Sequence, residues 1–599
     1  MGNFTPINIR RAVLSLTAGM VLLLTGCGKF GPPPGPGMVL ERKLLVENLS
    51  GYKPVIGRSG GRVVQATIGD PKSFNPILAK ETSTTTITGL MFLGLTRING
   101  VTLEPEPDLA ERWEITDDGK TYIFHLREGL QWSDGEPISA DDVVFTFQLI
   151  YDPNIPNSSA DVLSVEGKPF EVDAVGPRAV RVRLPARFAP FLEAMGQSIM
   201  PKHSLEEVWR KGSFNSSLGV ETPPDKVVCS GPFMLEAYRP GERVLLKRNP
   251  RYWRRDAAGN RLPYLEGVTI LIMGQAIMPL KFKAGEIDVM SVRGSDYPDL
   301  KPLEKKLHFT LIDSGPGTGS NFVVFNQNPN KSDRDEPFVK PVKLKWFTNP
   351  EFRRAVAHAI DKKSITDIVL NGFGYPQTGP MTVSEGYFYN PNVRQYPYDL
   401  ARARQILAQA GFKDGNGDGY IEDPEGNTVE FTLLTNTSNE DRAKIGTIVR
   451  KDLERIGIKV HFTLVEFNTL VSKLSAPPYD WEAILLGLTG GPEPHDGQNV
   501  WKSSGQLHEW NPVQKKPATA WEAEIDRLFN EGVQELDRAK RKQIYDRWQE
   551  IVCDELPVIY TVTGAALVAV RNKFSNLYPT PLGGVFHNID EIFVKESSE

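Results

Sequence analysis

A mixed α/β fold is predicted for this chain by three observations: short apolar segments that alternate, helices with recognisable caps, and one strand–helix–strand run in the second half. Alternation appears first. Val64, Ala66 and Ile68, then Tyr122, Phe124 and Leu126, then Val180, Val182 and Leu184 recur at every second residue, the period of a half-buried strand. Between the second and third sets, Ser139-Ala140-Asp141-Asp142 puts a hydroxyl at an N-cap and a carboxylate three residues on, which starts a helix into Val143 and Val144. Asn349-Pro350 supplies a cap followed by a proline at the first helical position, and Phe352, Val356 and Ile360 follow at helical spacing. Leu400, Ala403, Leu407 and Ala410 form another stripe, which Gly411 ends. Val429, Phe431 and Leu433 then alternate, Ile445, Ile448, Val449 and Ile456 mark a helix, and Ile458, Val460, Phe462 and Leu464 alternate again. Strand, helix and strand in so short a run make a βαβ unit, with parallel pairing and a right-handed crossover. Two late helices follow, around Ile525–Leu536 and Ile544–Val552.

With 599 residues the chain exceeds one core and divides into more than one domain. A net charge of −5 spread without any basic run gives no footprint for nucleic acid. No internal repeat is evident.

The N-terminus is a leader. Arg10 and Arg11 precede the apolar run Ala12–Leu24, which is too short to span a bilayer as a helix, so residues 1–26 read as a secretory signal peptide. Leu24-Thr25-Gly26-Cys27 resembles a bacterial lipobox, which implies cleavage before Cys27 and lipid on that residue. Residues 27–60, rich in Pro and Gly at their start, read as a tether that holds the body off a membrane surface. An exported chain permits a disulfide between Cys229 and Cys553, but spacing alone does not pair them, and two buried inert thiols are the expected alternative.

Two motifs are weighed against their contexts. Asp414–Glu425 matches the calcium-loop pattern at every position, with oxygens offered by Asp414, Asn416, Asp418, Tyr420, Glu422 and Glu425. The exit helix of an EF-hand is missing, because Pro424 and an alternating segment follow. The loop is therefore expected to be an acidic helix-to-strand connector that holds at most one structural calcium ion, with no cofactor required for function. Gly57-Arg58-Ser59-Gly60-Gly61 fits the G-x-S-x-G nucleophile elbow in letters only, since it precedes the first strand instead of following one. His495 and His508, thirteen residues apart, are weak as a metal pair.

A resemblance runs through the body. The segment Leu109–Phe147, containing LAERWEITDDGKTYIFHLREGLQWSDG, is similar to the signature region of the bacterial extracellular solute-binding proteins of the peptide, opine and nickel class. Further similarities follow in order: GPF at 231–233, RNPRYW at 248–253, GEID at 285–288, RRAVAHAID at 353–361 and LAQAG at 407–411. The resemblance implies a two-lobed periplasmic-binding-protein fold of type II, family 5, with an extra subdomain in the first lobe. Lobe I would span 61–318 and 566–599, with the insertion at about 105–200, and lobe II would span 319–565. The chain is expected to cross between lobes near Ser314–Ser320 and again near Ala565–Val570. It further implies a monomeric, lipid-anchored receptor on the periplasmic or outer face of a bacterial membrane, which passes a peptide or related solute to an ABC permease without catalysis. The rival readings are an exported hydrolase and a chaperone-like sensor on the same body.

Peptide-binding members carry an Asp for the ligand's α-amino group in a loop that matches Tyr479–Pro494. Aligning Pro492-Glu493-Pro494 on its Pro-Asp-Pro puts Gly490 where that Asp would stand. His495, Asp496 or Glu493 are the candidates to replace it. Trp501 and Asn499, on the same Gly-rich segment, are the leading ligand contacts, followed by His495 and Asp496. Asp70–Pro76 resembles a cleft-lining stretch, which adds Phe74 and Asn75.

Overall fold

The computed structural model describes residues 54–116, 119–580 and 582–595, so the leader, Cys27 and all but the end of the tether lie outside the described residues. That end packs on the body: the Val55 amide donates to Asn576 Oδ1 at 3.1 Å, and Asn576 Nδ2 donates to the Val55 carbonyl at 2.9 Å.

Two sheets organise the molecule. The first runs Phe233–Arg239, Arg243–Arg248, Gly267–Ile272, Arg62–Thr67, Val289–Ser291, Val562–Arg571, Phe309–Pro316, and Gly374–Pro376 adds to the start of Val562–Arg571. Its strand Arg62–Thr67 has neighbours on both sides, and Val63, not the alternating set from Val64, is its buried residue. A central strand covered on both faces loses the period that a half-buried strand shows. The second sheet runs Lys459–Val465, Glu430–Asn436, Ala483–Leu486, Phe322–Phe325, Val558–Tyr560.

The βαβ unit lies in this second sheet. Phe431 stands opposite Val460 and Leu433 opposite Phe462 in a parallel pair, joined by the helix Glu440–Glu454. Asn439 caps that helix by accepting from the Arg442 amide. Phe325, Phe347, Phe352 and Phe431 fill the core beneath, with the Phe325 and Phe347 rings stacked at 4.9 Å.

Residues 110–183 carry a separate antiparallel sheet, Ala110–Ile115, Thr121–Leu126, Ala179–Arg183, Glu171–Gly176, whose Phe124, Val180 and Val182 are buried. The helix Ala140–Tyr151 covers it and begins with the capping box of Ser139 and Asp142.

The chain changes sheet between Pro316 and Phe322 and again at Thr561, between Tyr560 and Val562. Ala565–Val570, where sequence placed the second crossing, lies inside the strand Val562–Arg571. The two connections run side by side: the Thr561 amide donates to the Asn321 carbonyl at 2.8 Å, and the Gly317 amide to the Gly564 carbonyl at 2.8 Å. A side chain at Gly317 would press on that carbonyl, which explains the glycine.

Cys229 and Cys553 are both free and buried. No helix among the described residues is long and apolar enough to cross a membrane.

Candidate functional site

Beside the two crossings lies a cavity of about 630 Å³, reached by Ser320 and Tyr560, one from each connection. Its floor is the segment Leu486–Gly491, which leaves the carboxyl end of the strand Ala483–Leu486. That strand is parallel to Glu430–Asn436, and the carboxyl ends of parallel strands are where open α/β sheets place ligands. Lys80–Thr82 and Thr85, from the region after the first strand, close one wall. The turns Pro494–Gly497 and Gln498–Trp501 form another.

Four of the expected ligand contacts divide between cavity and core. Trp501 lines the cavity and is 5% exposed, held by the Trp510 ring at 5.7 Å and the Trp548 ring at 5.4 Å. Asn499 and Asp496 also line it. His495 does not line it. Its ring packs edge-on against Phe188 at 4.9 Å, and Nε2 meets the Val162 carbonyl at 3.0 Å. Burial, aided by Arg541 and Lys502, pushes the His495 pKa down to about 3, so the ring is neutral and Nε2 carries the proton. His508 is engaged elsewhere, with Nδ1 at 3.0 Å from the Val500 carbonyl, so the two histidines serve separate contacts.

The expected contacts Phe74 and Asn75 are core residues instead. Phe74 is fully buried and packs edge-on against Tyr238 at 5.8 Å. Asn75 is fully buried and its Oδ1 accepts from the Ile77 amide at 3.0 Å. An Asx turn stabilises a bend locally and asks for no ligand.

Carboxylates outnumber lysines in the lining: Glu81, Glu385, Glu493, Asp496 and Glu509 face it against Lys80 and Lys515. Glu493 is neutralised by Arg541, whose Nη1 donates to Oε2 at 2.7 Å and whose Nη2 donates to Oε1. Asp496 is exposed to the cavity, and desolvation there together with Glu193 and Glu493 holds its carboxyl above the usual range. Glu509 is buried, its Oε2 has no hydrogen-bond partner, and burial lifts its pKa to about 8. Glu385, which sequence reasoning missed, is 3% exposed and its Oε2 accepts from the Thr382 amide at 2.7 Å. Burial raises its pKa to about 8 against the effect of that one bond.

Gly490 explains how Glu385 reaches the cavity. A Cβ on Gly490 would collide with Glu385 Oε1, so the missing side chain leaves the room that this carboxyl occupies. A Cβ on Gly491 would lie 3.7 Å from Asp496 Oδ2. The only sequence signal for Glu385 was the bare Gly490 itself, because the two residues are 105 positions apart in the chain.

The acidic connector lies apart from the cavity. Asp414, Asp418 and Glu422 bring carboxylate oxygens within 4.8 Å of one another. Asn416 Nδ2 donates to Glu422 Oε1 at 2.7 Å, and Asp414 Oδ1 accepts from the Gly417 amide at 2.6 Å. The Tyr420 ring faces Lys459 at 5.9 Å. Glu425 points away and pairs with Lys345, so the ninth position and not the twelfth joins the cluster. The segment 57–61 precedes the strand Arg62–Thr67 with no helix after it, and Ser59 Oγ accepts from Arg248 Nη1 at 3.0 Å. That geometry is not a nucleophile elbow.

Comparison with known proteins agrees with this architecture. The chain is 29% identical over 558 residues to a probable ABC transporter-binding protein of Deinococcus radiodurans, spanning 89% of this chain and 92% of that one. It is 28% identical over 517 residues to the oligopeptide-binding protein AppA of Bacillus subtilis, spanning 84% and 86%. The solved structure of AppA with a nonapeptide matches with a TM-score of 0.77 at 24% identity, over 91% of this chain and 100% of that one. The periplasmic binding protein MelB of Agrobacterium fabrum in complex with stachyose matches in fold with a TM-score of 0.78 at 22% identity, over 95% and 93%. Residues 104–508 match the model of the bacterial extracellular solute-binding proteins, family 5, and the chain therefore belongs to that family of binding proteins, which are not enzymes.

Proposed function

We propose that this protein captures a peptide or peptide-like solute in the cavity beside the two crossings and delivers it to an ABC permease. The observation that carries the reading is the cavity itself: it is lined by Lys80 and Thr85 from one side, by Asn499 and Trp501 from the other, and by Ser320 and Tyr560 from the paired connections between sheets. Paired connections of this kind act as a hinge about which two halves close on a ligand. The halves expected from the sequence, 61–318 with 566–599 and 319–565, take their second boundary at Thr561, where the chain changes sheet. A volume of about 630 Å³ falls within the roughly 300–1,000 Å³ typical of small-ligand sites, which favours a short peptide over a long one. The similarity to an oligopeptide-binding protein supports the peptide class. The Leu24–Cys27 sequence supports export and lipid anchoring through Cys27, and the protein acts as a monomer on the periplasmic or cell-surface face of a bacterial membrane. The acidic connector would take one structural calcium ion through Asp414, Asp418 and Glu422.

Native mass spectrometry of the purified protein tests the reading. A small molecule that co-purifies, dissociates on activation and is recovered unchanged supports it. Consumption of the bound molecule would restore the hydrolase alternative, and a protein that binds unfolded chains but no small solute would restore the chaperone-like one.

A further inference from the structure

One connection in the first sheet carries arginines whose charge no carboxylate offsets. Residues 248–261, which join two antiparallel strands of that sheet, hold five arginines and a single acid, Asp256. Arg254 is paired with Asp590 and Glu591. Arg251 Nη1 turns to the Ser133 carbonyl at 3.0 Å. Arg248, Arg255 and Arg261 form no ion pair among the described residues, and they donate to neutral acceptors instead. Arg248 reaches Ser59 Oγ at 3.0 Å and the Arg261 carbonyl at 3.1 Å, Arg255 the Gly259 carbonyl at 2.8 Å, and Arg261 the Pro250 carbonyl at 2.9 Å. Asp256 is occupied within the same hairpin, accepting from the Tyr264 hydroxyl at 2.7 Å and from Asn260 Nδ2 at 2.9 Å. Burial first, then Arg255 and Arg248, hold the Arg261 pKa down, so the three charges lie close enough to repel one another.

The end of the tether lies against this connection. Arg248 holds Ser59, the Gly60 amide donates to the Tyr264 carbonyl at 2.9 Å, and a Cβ on Gly57 would strike the Phe593 and Tyr264 rings. The Val55 backbone is pinned to Asn576. Although the main chain is fixed on the body, the side chains of Val55 and Ile56 are 58% and 56% exposed, and Arg58 beside them is exposed too. Bare apolar side chains flanked by arginines suit a bilayer interface, with the apolar groups at the acyl boundary and the cations among anionic headgroups. The chain upstream points the same way. Only residues 28–53 separate Pro54 from Cys27, and fully extended they reach at most about 90 Å.

Resting on the lipid anchoring proposed for Cys27, we infer that the body docks on an anionic lipid bilayer through this patch, with Val55 and Ile56 at the acyl boundary and Arg248, Arg255 and Arg261 among the headgroups. The tether then holds the body against the membrane instead of off it. A tether this short keeps the body near the surface at about millimolar local concentration, so a contact too weak to recruit a free protein is enough to orient an anchored one. The chain as a whole, at a net charge of −5, is repelled by an anionic surface, and the patch therefore sets which side faces it. None of these five residues lines the cavity, so docking leaves ligand capture unimpeded.

The test is co-sedimentation of the mature chain, residues 27–599, with vesicles of phosphatidylcholine alone and of phosphatidylcholine mixed with phosphatidylglycerol. The chain carries Cys27→Ala, so that no lipid of its own contributes. The inference expects binding to the mixed vesicles to be at least about tenfold tighter, and to weaken as added salt screens the surface. Arg255→Gln combined with Ile56→Ser alters two exposed side chains and should weaken that binding by at least about fivefold, with melting temperature and ligand affinity unchanged. Equal binding to the two kinds of vesicle, no binding to either by the folded chain, or a selectivity that survives the double substitution overturns the inference. The anchoring is read separately, from the mass of the Cys27 peptide of the wild-type protein extracted from membranes. Lipid on Cys27 without vesicle selectivity overturns the inference alone. An unmodified Cys27 overturns the anchoring together with the inference built on it.

Discussion

His495 Nε2 donates to the carbonyl of Val162 across 3.0 Å, joining the loop after strand Ala483–Leu486 to the inserted antiparallel region 333 residues earlier in the chain. The contact does not stand alone. The Ala189 amide donates to the Val533 carbonyl at 2.7 Å, and the Gln506 amide to Asp161 Oδ2 at 3.0 Å. A cluster of bonds between segments so distant in sequence clamps one side of the cavity.

The first prediction concerns this clamp. His495→Ala should weaken every ligand by the same factor, roughly fivefold to thirtyfold, because it removes about 1–2 kcal/mol from the closed arrangement and nothing from the ligand's own contacts. Titration with two chemically different ligands checks it. A factor that depends on the ligand would place His495 in the site after all.

The second prediction separates Trp501 from Asn499. Trp501 is wedged between Trp510 and Trp548, so Trp501→Ala should cost about 3–5 kcal/mol of stability together with affinity. Asn499 is half-buried and its backbone, through the Leu507 amide at 2.9 Å, does the structural work. Asn499→Ala should change stability by about 1 kcal/mol or less and act mainly on affinity. Chemical denaturation and titration of both variants distinguish the two roles.

What the sequence made legible follows from how local each interaction is. The capping box of Ser139 and Asp142, the Asn349 cap and the parallel pair Glu430–Asn436 with Lys459–Val465 are set by residues close together in the chain, and all of them formed. Trp501, Asn499 and Asp496 were singled out because aromatic and polar residues on a Gly-rich loop after a strand point to a site, and all three line the cavity. Glu385 was hidden because its relation to Gly490 exists only after the turn Val383–Phe388 is laid against the second sheet's loop. Phe74 and Asn75 misled because a phenylalanine and an asparagine beside prolines look alike whether they face a ligand or, as here, pack a core and close an Asx turn.

The third prediction is a pH dependence with a definite sign. Glu385 and Glu509 have pKa values raised from 4.5 to about 8 by burial. The folded protein therefore holds these protons where the unfolded chain has already lost them. Stability should be full below about 4.5 with respect to these two groups and fall as pH rises from there through about 8. Both carboxyls act on Tyr560, whose own phenol is raised, by burial first, far beyond this range, so it does not titrate in the window. The ligand-free protein should melt higher at pH 6 than at pH 8. The variant carrying Glu385→Gln and Glu509→Gln should show a smaller difference, and an unchanged slope would mean that other groups set it.

The fourth prediction distinguishes the two glutamates of the acidic connector. The calcium-loop pattern assigns the bidentate ligand to its twelfth position, Glu425, but that side chain is paired with Lys345, whereas Glu422 at the ninth meets Asp414 and Asp418. If calcium binds here, it raises the melting temperature in proportion to the logarithm of its excess over Kd, since an ion held only by the folded loop shifts the equilibrium toward it. Glu422→Gln should abolish that rise, and Glu425→Gln should leave most of it. Ligand affinity should be the same with calcium and with a chelator, because none of the three clustered carboxylates lines the cavity. Scanning calorimetry of the two variants with calcium and with a chelator reads the result directly, and a rise lost with Glu425→Gln instead would require the loop to rearrange around the ion, releasing Lys345 as it does so.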